Sequence, residues 1–336
     1  MPQEVGRQYK EIMKKYLESH SEEDLYVGQQ FSRRFIEKEI APEDVISIHK
    51  NALFELHPEL RNEVWDSLDF LIEMMIHYGL TLREHQSLIQ KQEAIQMEMN
   101  VATKVQDTLL KTKMPCVGGL DVGYISQPAK QMNGDYVYFL NKKNESGVAV
   151  ADVIGKGIPA ALCMSMIKFG MDGLPDGNTS PRNVLGIINR IVEKSVDDSM
   201  FISMFYGKYN AEDTTFSYAS AGHEPALHFD SRTGVFSELD AKGLLLGVKP
   251  VAEYEERSVV LNDGDFIAMM TDGVTETRTE NGFIDMNSIQ NLLHDVKDKT
   301  AQQIAEHVYQ HLSELQNYRL GDDFTIVIFK KEPEQV

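Results

Sequence analysis

The sequence predicts two structural regimes in one chain: an all-α N-terminal bundle continued by a helical linker, then an α+β domain. Three observations carry that reading. Before residue 83 glycine occurs only at Gly6, Gly28 and Gly79, and apolar residues recur at spacings of three and four, as in Phe31, Phe35, Ile36 and Leu68, Leu71, Ile72, Met75, Ile76. Between Arg83 and Met114 there is neither glycine nor proline. From Val117 onward short β-rich runs alternate with turn signals, and helical periodicity returns in two separate pairs. Grouped strands interrupted by grouped helices argue against a βαβ repeat and for helix pairs covering a largely antiparallel core. At 336 residues the chain is also long for one domain.

In the first 82 residues, punctuation at Ser19 to Glu23, Ala41-Pro42-Glu43-Asp44 and His57-Pro58-Glu59 cuts the stretch into about four helices, because proline suits a first turn and breaks a helix interior. This bundle carries 16 acidic against nine basic residues. Its surface is either a docking face for a partner with a basic patch or simply a solvated acidic face. In the linker, residues 83–116, Leu88, Gln92, Ile95, Met99, Ala102, Gln106 and Leu109 follow a strict four-three spacing, the pattern of a coiled-coil seam. Two glutamines and a small alanine weaken that seam. The segment reads either as a conditionally paired connector, which favours a homodimer, or as an amphipathic helix packed on the following domain.

The domain over residues 117–330 contains strand-like runs at Tyr136 to Leu140, Gly147 to Val153, Met200 to Tyr209, Thr215 to Ala219 and Phe324 to Phe329. Helical patterns at Ile158 to Met171 and Pro181 to Lys194 fall between the runs Gly147 to Val153 and Met200 to Tyr209, and others at Met286 to Asp295 and Thr300 to Leu315 precede the last strand. A short tail, 331–336, closes the chain.

Composition excludes several function classes. Apolar residues make up 42% and charged residues 25%, which supports a packed core and excludes a disordered or collagenous chain. A net charge of −19 opposes binding to nucleic acid and to anionic lipid. No apolar run approaches the roughly 20 residues of a membrane span, and Met1 to Glu11 lacks the apolar centre of a signal peptide, so a cytoplasmic location is expected. Cys116 and Cys163 stand apart from each other and from any Cys/His cluster, so they read as reduced, ordinary residues.

Chemistry is carried by carboxylates. Asp135 lies in Asn133-Gly134-Asp135-Tyr136, Asp152 in Ala151-Asp152-Val153-Ile154-Gly155-Lys156-Gly157, Asp272 in Thr271-Asp272-Gly273-Val274, and Asp322 with Asp323 in Gly321-Asp322-Asp323-Phe324-Thr325. Each stands at the end of an apolar run, where a rigid strand holds the side chain while its oxygens emerge. Any one alone is a turn dipeptide. Four such ends without a cationic neighbour in sequence suggest converging carboxylates, which repel unless protonated or bound to a metal. Mg²⁺ or Mn²⁺ suits an all-oxygen set. No Cys-x5-Arg phosphatase loop and no phosphate-binding Gly-x4-Gly-Lys-Ser/Thr loop is present.

Taken in order, these strings, with Ile158-Pro159-Ala160-Ala161-Leu162 after the second and Tyr218-Ala219-Ser220-Ala221-Gly222-His223-Glu224-Pro225 between the second and third, resemble the motif set of the bacterial PPM/PP2C-like serine/threonine phosphatases over about residues 117 to 330. With the acidic helical N-terminus, the whole chain is similar to the general stress-response members of that family. The resemblance implies a β-sandwich flanked by helix pairs and a site for two Mn²⁺ or Mg²⁺ ions. Matched position by position, it implies Asp135, Asp152 (bridging), the Val153 backbone oxygen, Asp272 and Asp322 as ligands, with Asp323 the alternative to Asp322. It implies as substrate a phosphorylated STAS anti-anti-sigma protein (RsbV-like), and as activator a kinase-like protein (RsbT-like) docking on the N-terminal domain. Lys156 is either a phosphate-holding cation or a solvated turn lysine; His223 is either a proton donor to the leaving alkoxide or a structural turn residue. Glu276 is open in the same way, since an acidic side chain also suits the first turn of a helix. Asn133 departs from the glycine usual at its position, and asparagine tolerates the left-handed geometry such a turn would ask for. A phosphoprotein-binding pseudophosphatase is the alternative function; intact candidate ligands argue against it.

Overall fold

The computed structural model describes residues 2–333 apart from 39, 143, 154–157, 175–179, 196–199 and 280–281. Four helices open the chain: α1 (Pro2–Ser19), α2 (Glu22–Glu37), α3 (Pro42–Leu56) and α4 (Asn62–Leu109). Their ends fall at the expected punctuation. Ser21 caps α2 by accepting from the Asp24 amide, and Pro42 sits in the first turn of α3, where an N–H would have no helical partner. Val5, Phe31 and Phe35 form a small core with Tyr9, Ile12 and Ile48 against it. The chain divides into two compact units at Met97/Glu98. The boundary expected after residue 82 therefore falls inside one unbroken helix, because nothing in Arg83 to Leu109 stops helical propagation.

The second unit begins with β1 (Leu120–Gln127), β2 (Asp135–Asn141) and β3 (Glu145–Val153), then α5 (Ile158–Asp172) and α6 (Pro181–Ser195). Six strands follow: β4 (Ile202–Asn210), β5 (Thr215–Ala221), β6 (Ala226–Asp230), β7 (Val235–Leu239), β8 (Arg257–Val260) and β9 (Phe266–Met270). The remainder is the single turn α7 (Asp272–Thr275), the hairpin β10 (Arg278–Thr279) and β11 (Gly282–Phe283), α8 (Met286–Asp295), α9 (Ala301–Leu315) and β12 (Phe324–Lys331).

Ten of these strands make two five-stranded antiparallel sheets, ordered β1-β12-β9-β6-β7 and β2-β3-β4-β5-β8. Alternation along the strands explains the layers. Ile267 and Met269 of β9 join Val327, Phe329, Phe205 and Phe216 in the core between the sheets. Their neighbours Phe266, Ala268 and Met270 face the other way, onto Ile304 and Val308 of α9. On the second sheet Ala149, Ala151, Met204 and Tyr206 pack against Met164 and Ile167 of α5 and Ile188 of α6. The result is a sandwich with a helix pair on each outer face. Because both faces of β12 are covered, Ile326 to Phe329 is an unbroken apolar run. A capping box between Thr300 and Gln303 starts α9, and Asp121 of β1 accepts from the Ala301 amide at 2.6 Å. Gly123 permits this approach: a Cβ there would lie 2.2 Å from the Gln302 nitrogen. Among the described residues no helix is long and apolar enough to cross a membrane.

Candidate active site

Antiparallel register gathers the acidic motifs at one end of the sandwich. Asp135 opens β2 directly opposite Asp152 near the end of β3, and Asp152 is in turn opposite Ser203 of β4. In the other sheet β12 begins where β9 ends, with Ile326 opposite Met270, so Asp322-Asp323 and Thr271-Asp272 are neighbours. The two sheets are joined there by side chains. Thr271 donates its hydroxyl to Asp135 at 2.7 Å and accepts from the Thr325 amide at 3.2 Å.

Asp135 is only 4% exposed. Burial pushes its carboxyl well above the usual carboxylate range; the Thr325 and Thr271 hydroxyls pull it back down, while the charges of Asp152 and Asp323 push it further up. Glu224 is also raised, by burial first and then by the charges of Asp272, Glu276 and Glu238. The field at this end of the domain is strongly negative. Its donors are carboxylate oxygens, which fits a hard divalent cation. Among the described residues no three His, Cys, Asp or Glu side chains stand close enough to share one ion. The donor chemistry fits such an ion.

The adjacent aspartates in the last motif differ in kind. Asp323 is 4% exposed and spends both oxygens on backbone, accepting from Ala129 N at 2.7 Å and Gly134 N at 2.5 Å. Asp322 is exposed and accepts from the Asp323 amide at 2.8 Å. Asp272 is half-buried in the turn α7, and Gly273 beside it lies against the Asp323 backbone. Val153 closes β3 and donates its amide to Gly134 O at 3.1 Å. Lys156 lies outside the described residues.

His223 accepts or donates at Nδ1 with Ser203 Oγ, 2.8 Å away, and its amide is held by Ser220 Oγ at 3.0 Å. Burial pushes its pKa down to about 4, only partly offset by the Met270 backbone. A neutral imidazole holding a turn is what this environment favours at neutral pH. The sign of its pH effect follows. The unfolded imidazole takes up a proton near its ordinary pKa of 6.5, which the folded one refuses until about pH 4. Stability is therefore intact above about pH 6.5 and declines as pH falls through that window. Denaturant melts between pH 7 and pH 4 should show a shallower decline for His223→Gln than for the unsubstituted chain.

Several supporting residues escaped sequence reasoning. Asn133 takes ordinary negative φ rather than the left-handed geometry expected of it. Its side-chain Oδ1 accepts from the Asp135 backbone amide at 2.9 Å and its side-chain Nδ2 donates to the Ser126 hydroxyl at 2.8 Å, so it clamps the turn leading into Asp135. Gln106, placed by its spacing either in a coiled-coil seam or on a helix face packed against the following domain, is buried within the second unit, donating to Asn133 O at 2.9 Å and accepting from Asn133 N at 3.3 Å. Its seam position thus meets the turn leading into Asp135, because an amide can satisfy both backbone groups of one residue. Glu276 caps the C-terminus of α7 rather than opening a helix.

Comparison with known proteins identifies this arrangement. The family model described as Stage II sporulation protein E matches residues 142–332, and the model described as the N-terminal domain of phosphoserine phosphatase RsbU matches residues 7–81. Phosphoserine phosphatase RsbU of Bacillus subtilis (strain 168) is 47% identical over 328 residues, 98% of each chain. This chain belongs to the RsbU family of PP2C-type serine phosphatases. Solved structures agree on the fold of such an RsbU-type chain. The SiaA-PP2C domain of Pseudomonas aeruginosa superposes with a TM-score of 0.62 at 19% identity, covering 71% of this chain and 98% of that one. The RsbU and RsbW domains of Rv1364c from Mycobacterium tuberculosis superpose with a TM-score of 0.54 at 22% identity, covering 68% and 63%. The helix-flanked sandwich is thus the PP2C architecture, and the RsbU family places the chain among the partner-switching phosphatases.

Proposed function

We propose that this RsbU-family phosphatase dephosphorylates a serine-phosphorylated STAS anti-anti-sigma protein of the RsbV kind in the cytoplasm, and that a kinase-like activator of the RsbT kind binds its N-terminal helical unit. The observation that carries the reading is the cross-strand pair Asp135–Asp152, held in register and bridged to the second sheet through Thr271. Asp135, Asp152, the Val153 backbone oxygen, Asp272 and Asp322 would hold two Mn²⁺ or Mg²⁺ ions. When bound, such ions supply an activated water and neutralise charge on the phosphoryl group. The chain's own residues do the rest: Thr271 and Asn133 aim Asp135, Asp323 ties the turn at Ala129 to Gly134, and His223 holds the Ser203 side of Asp152.

That division supports Asp322 as the ligand and Asp323 as the residue that shapes the turn. Asp322→Ala should abolish most turnover with little change in melting temperature. Asp323→Ala leaves the buried Gly134 amide and the half-buried Ala129 amide unsatisfied and should destabilise the domain by about 2–4 kcal/mol. Comparable melting temperatures for the two variants would reverse the assignment.

Exposed Phe70, Met74 and Tyr78 recur every fourth residue on α4, with Leu88 and Ile95 seven apart beyond them, which supports both an activator-binding face and a homodimer. The test is phosphate release from a serine-phosphorylated STAS protein, titrating Mn²⁺ with and without the kinase-like activator. Metal-dependent release accelerated by the activator is expected. Release without acceleration removes the activator from the reading, and tight binding without release leaves a pseudophosphatase.

A further inference from the structure

We infer that a cavity beside the acidic site, walled by Arg278 and Arg319, is a subsite for a carboxylate side chain flanking the phosphoserine of the protein substrate; the inference rests on the phosphatase reading above. The cavity has a volume of about 690 Å³, and Gly273, Glu276, Gln316 and Asp322 also line it. It therefore opens directly onto the Thr271-Asp272-Gly273 and Gly321-Asp322 motifs, within reach of residues adjacent to a phosphoserine seated there.

Both arginines are exposed and make no ion pair among the described residues. They project from separate elements, Arg278 from β10 and Arg319 from the turn between α9 and β12. That turn is built at a conformational cost: Asn317 and Tyr318 are consecutive left-handed residues, with φ of 51° and 57°. It is also fastened to the active-site motif. Gln316 accepts from Gly321 N at 3.0 Å and donates to Thr277 at 3.4 Å, and Thr277 donates to Gly273 O at 3.2 Å.

The chemistry selects the occupant. A guanidinium presents a planar fork that matches a carboxylate in two parallel hydrogen bonds. A chain of net charge −19 repels an acidic phosphoprotein at long range, and two guanidinium groups in a cavity that also carries Glu276 and Asp322 offset part of that repulsion where the substrate must land. The phosphoryl group itself belongs with the strand-end carboxylates and their ions, which leaves the arginines for a neighbouring side chain.

The experiment compares fluorescently labelled phosphoserine peptides that differ only in Glu, Gln or Lys at flanking positions, with full-length protein in Mn²⁺. The unsubstituted chain should favour the Glu peptide over the Gln peptide by about three- to tenfold, mainly in KM. The double variant Arg278→Ala/Arg319→Ala should treat the two alike, and Arg278→Glu/Arg319→Glu should turn toward the Lys peptide. A preference that survives the double alanine variant overturns the subsite, as does an equal loss on all three peptides, which would put the arginines on the phosphoryl group. Should no peptide release phosphate, the phosphatase reading fails separately, and anisotropy binding of the same peptides still decides the subsite by the same order of affinities.

Discussion

Asp135→Asn should lower phosphatase turnover by at least about a hundredfold while raising the melting temperature of the metal-free protein. The two effects have one origin. Asp135 is buried beside Asp152 and Asp323, with hydroxyl donors and no cation among the groups that shift its pKa. In the absence of metal its charge is poorly compensated, which destabilises the fold by about 1–3 kcal/mol on the scale of an unsatisfied buried polar group. An asparagine has nearly the same shape and still accepts the Thr271 hydroxyl, so the substitution removes the repulsion and leaves the packing. At about 2–4 °C per kcal/mol for a domain of this size, the melting temperature should rise by several degrees. Catalysis moves the other way, since mutation of residues merely supporting a metal ligand already costs about 10- to 100-fold in affinity or activity. Calorimetry in chelator and phosphate release in Mn²⁺, performed on one preparation, read both effects. Turnover within a few-fold of the unsubstituted chain would remove Asp135 from the metal set; an unchanged melting temperature would mean that the carboxyl is already protonated or neutralised in the metal-free state.

Gly273→Ala should be among the most damaging single substitutions in the second unit. A Cβ at this position would lie 1.9 Å from the Asp323 carbonyl oxygen and 2.8 Å from its carbon, and both are backbone atoms that cannot rotate away. Either the turn carrying Asp272 or the start of β12 must shift. Overpacking in a fixed environment costs about 1–3 kcal/mol and more when the obstacle is main chain, so a loss of about 3 kcal/mol and a fall of roughly 6–12 °C are expected. Because the clash lies between two motifs that supply carboxylates, activity should fall even well below the melting temperature. A contrasting control is Gly186→Ala on α6, where an added Cβ meets nothing within 4 Å and alanine favours the helix. If Gly273→Ala melted like Gly186→Ala, the close approach of Asp272-Gly273 to Asp323 would not describe the folded protein in solution.

Much of this molecule was legible before any coordinates. Helix ends announced by Ser21, Pro42 and Thr300 are local events, decided by hydrogen bonds and ring geometry within one turn. Strands β2, β3, β4, β5 and β12 were visible as apolar or β-branched runs, whereas the largely exposed β7 and β8 carry no such run; the acidic motifs stood out because their neighbours are glycines at strand ends. Less visible were the residues that aim the site. Thr271, Ser126, Asn133 and Gln106 are ordinary polar residues in sequence, and their roles appear only when chain segments up to 199 residues apart meet. Gln106 shows the difficulty well: its spacing fits a seam, and spacing says which residues share a helix face without saying what that face meets.

What the sequence determined by itself is the helical first part, the two helix pairs and five strand runs of the second, the acidic character and the set of carboxylates available for chemistry, because these depend on local propensity and on composition. Tertiary structure alone decided that Asp135 stands opposite Asp152, that Asp323 is consumed by backbone amides while Asp322 is exposed, and that Arg278 and Arg319 share a cavity. Strand register is set by which side chains fill the space between the sheets, and a slip of one residue in β2 or β3 would turn Asp135 or Asp152 to the opposite face.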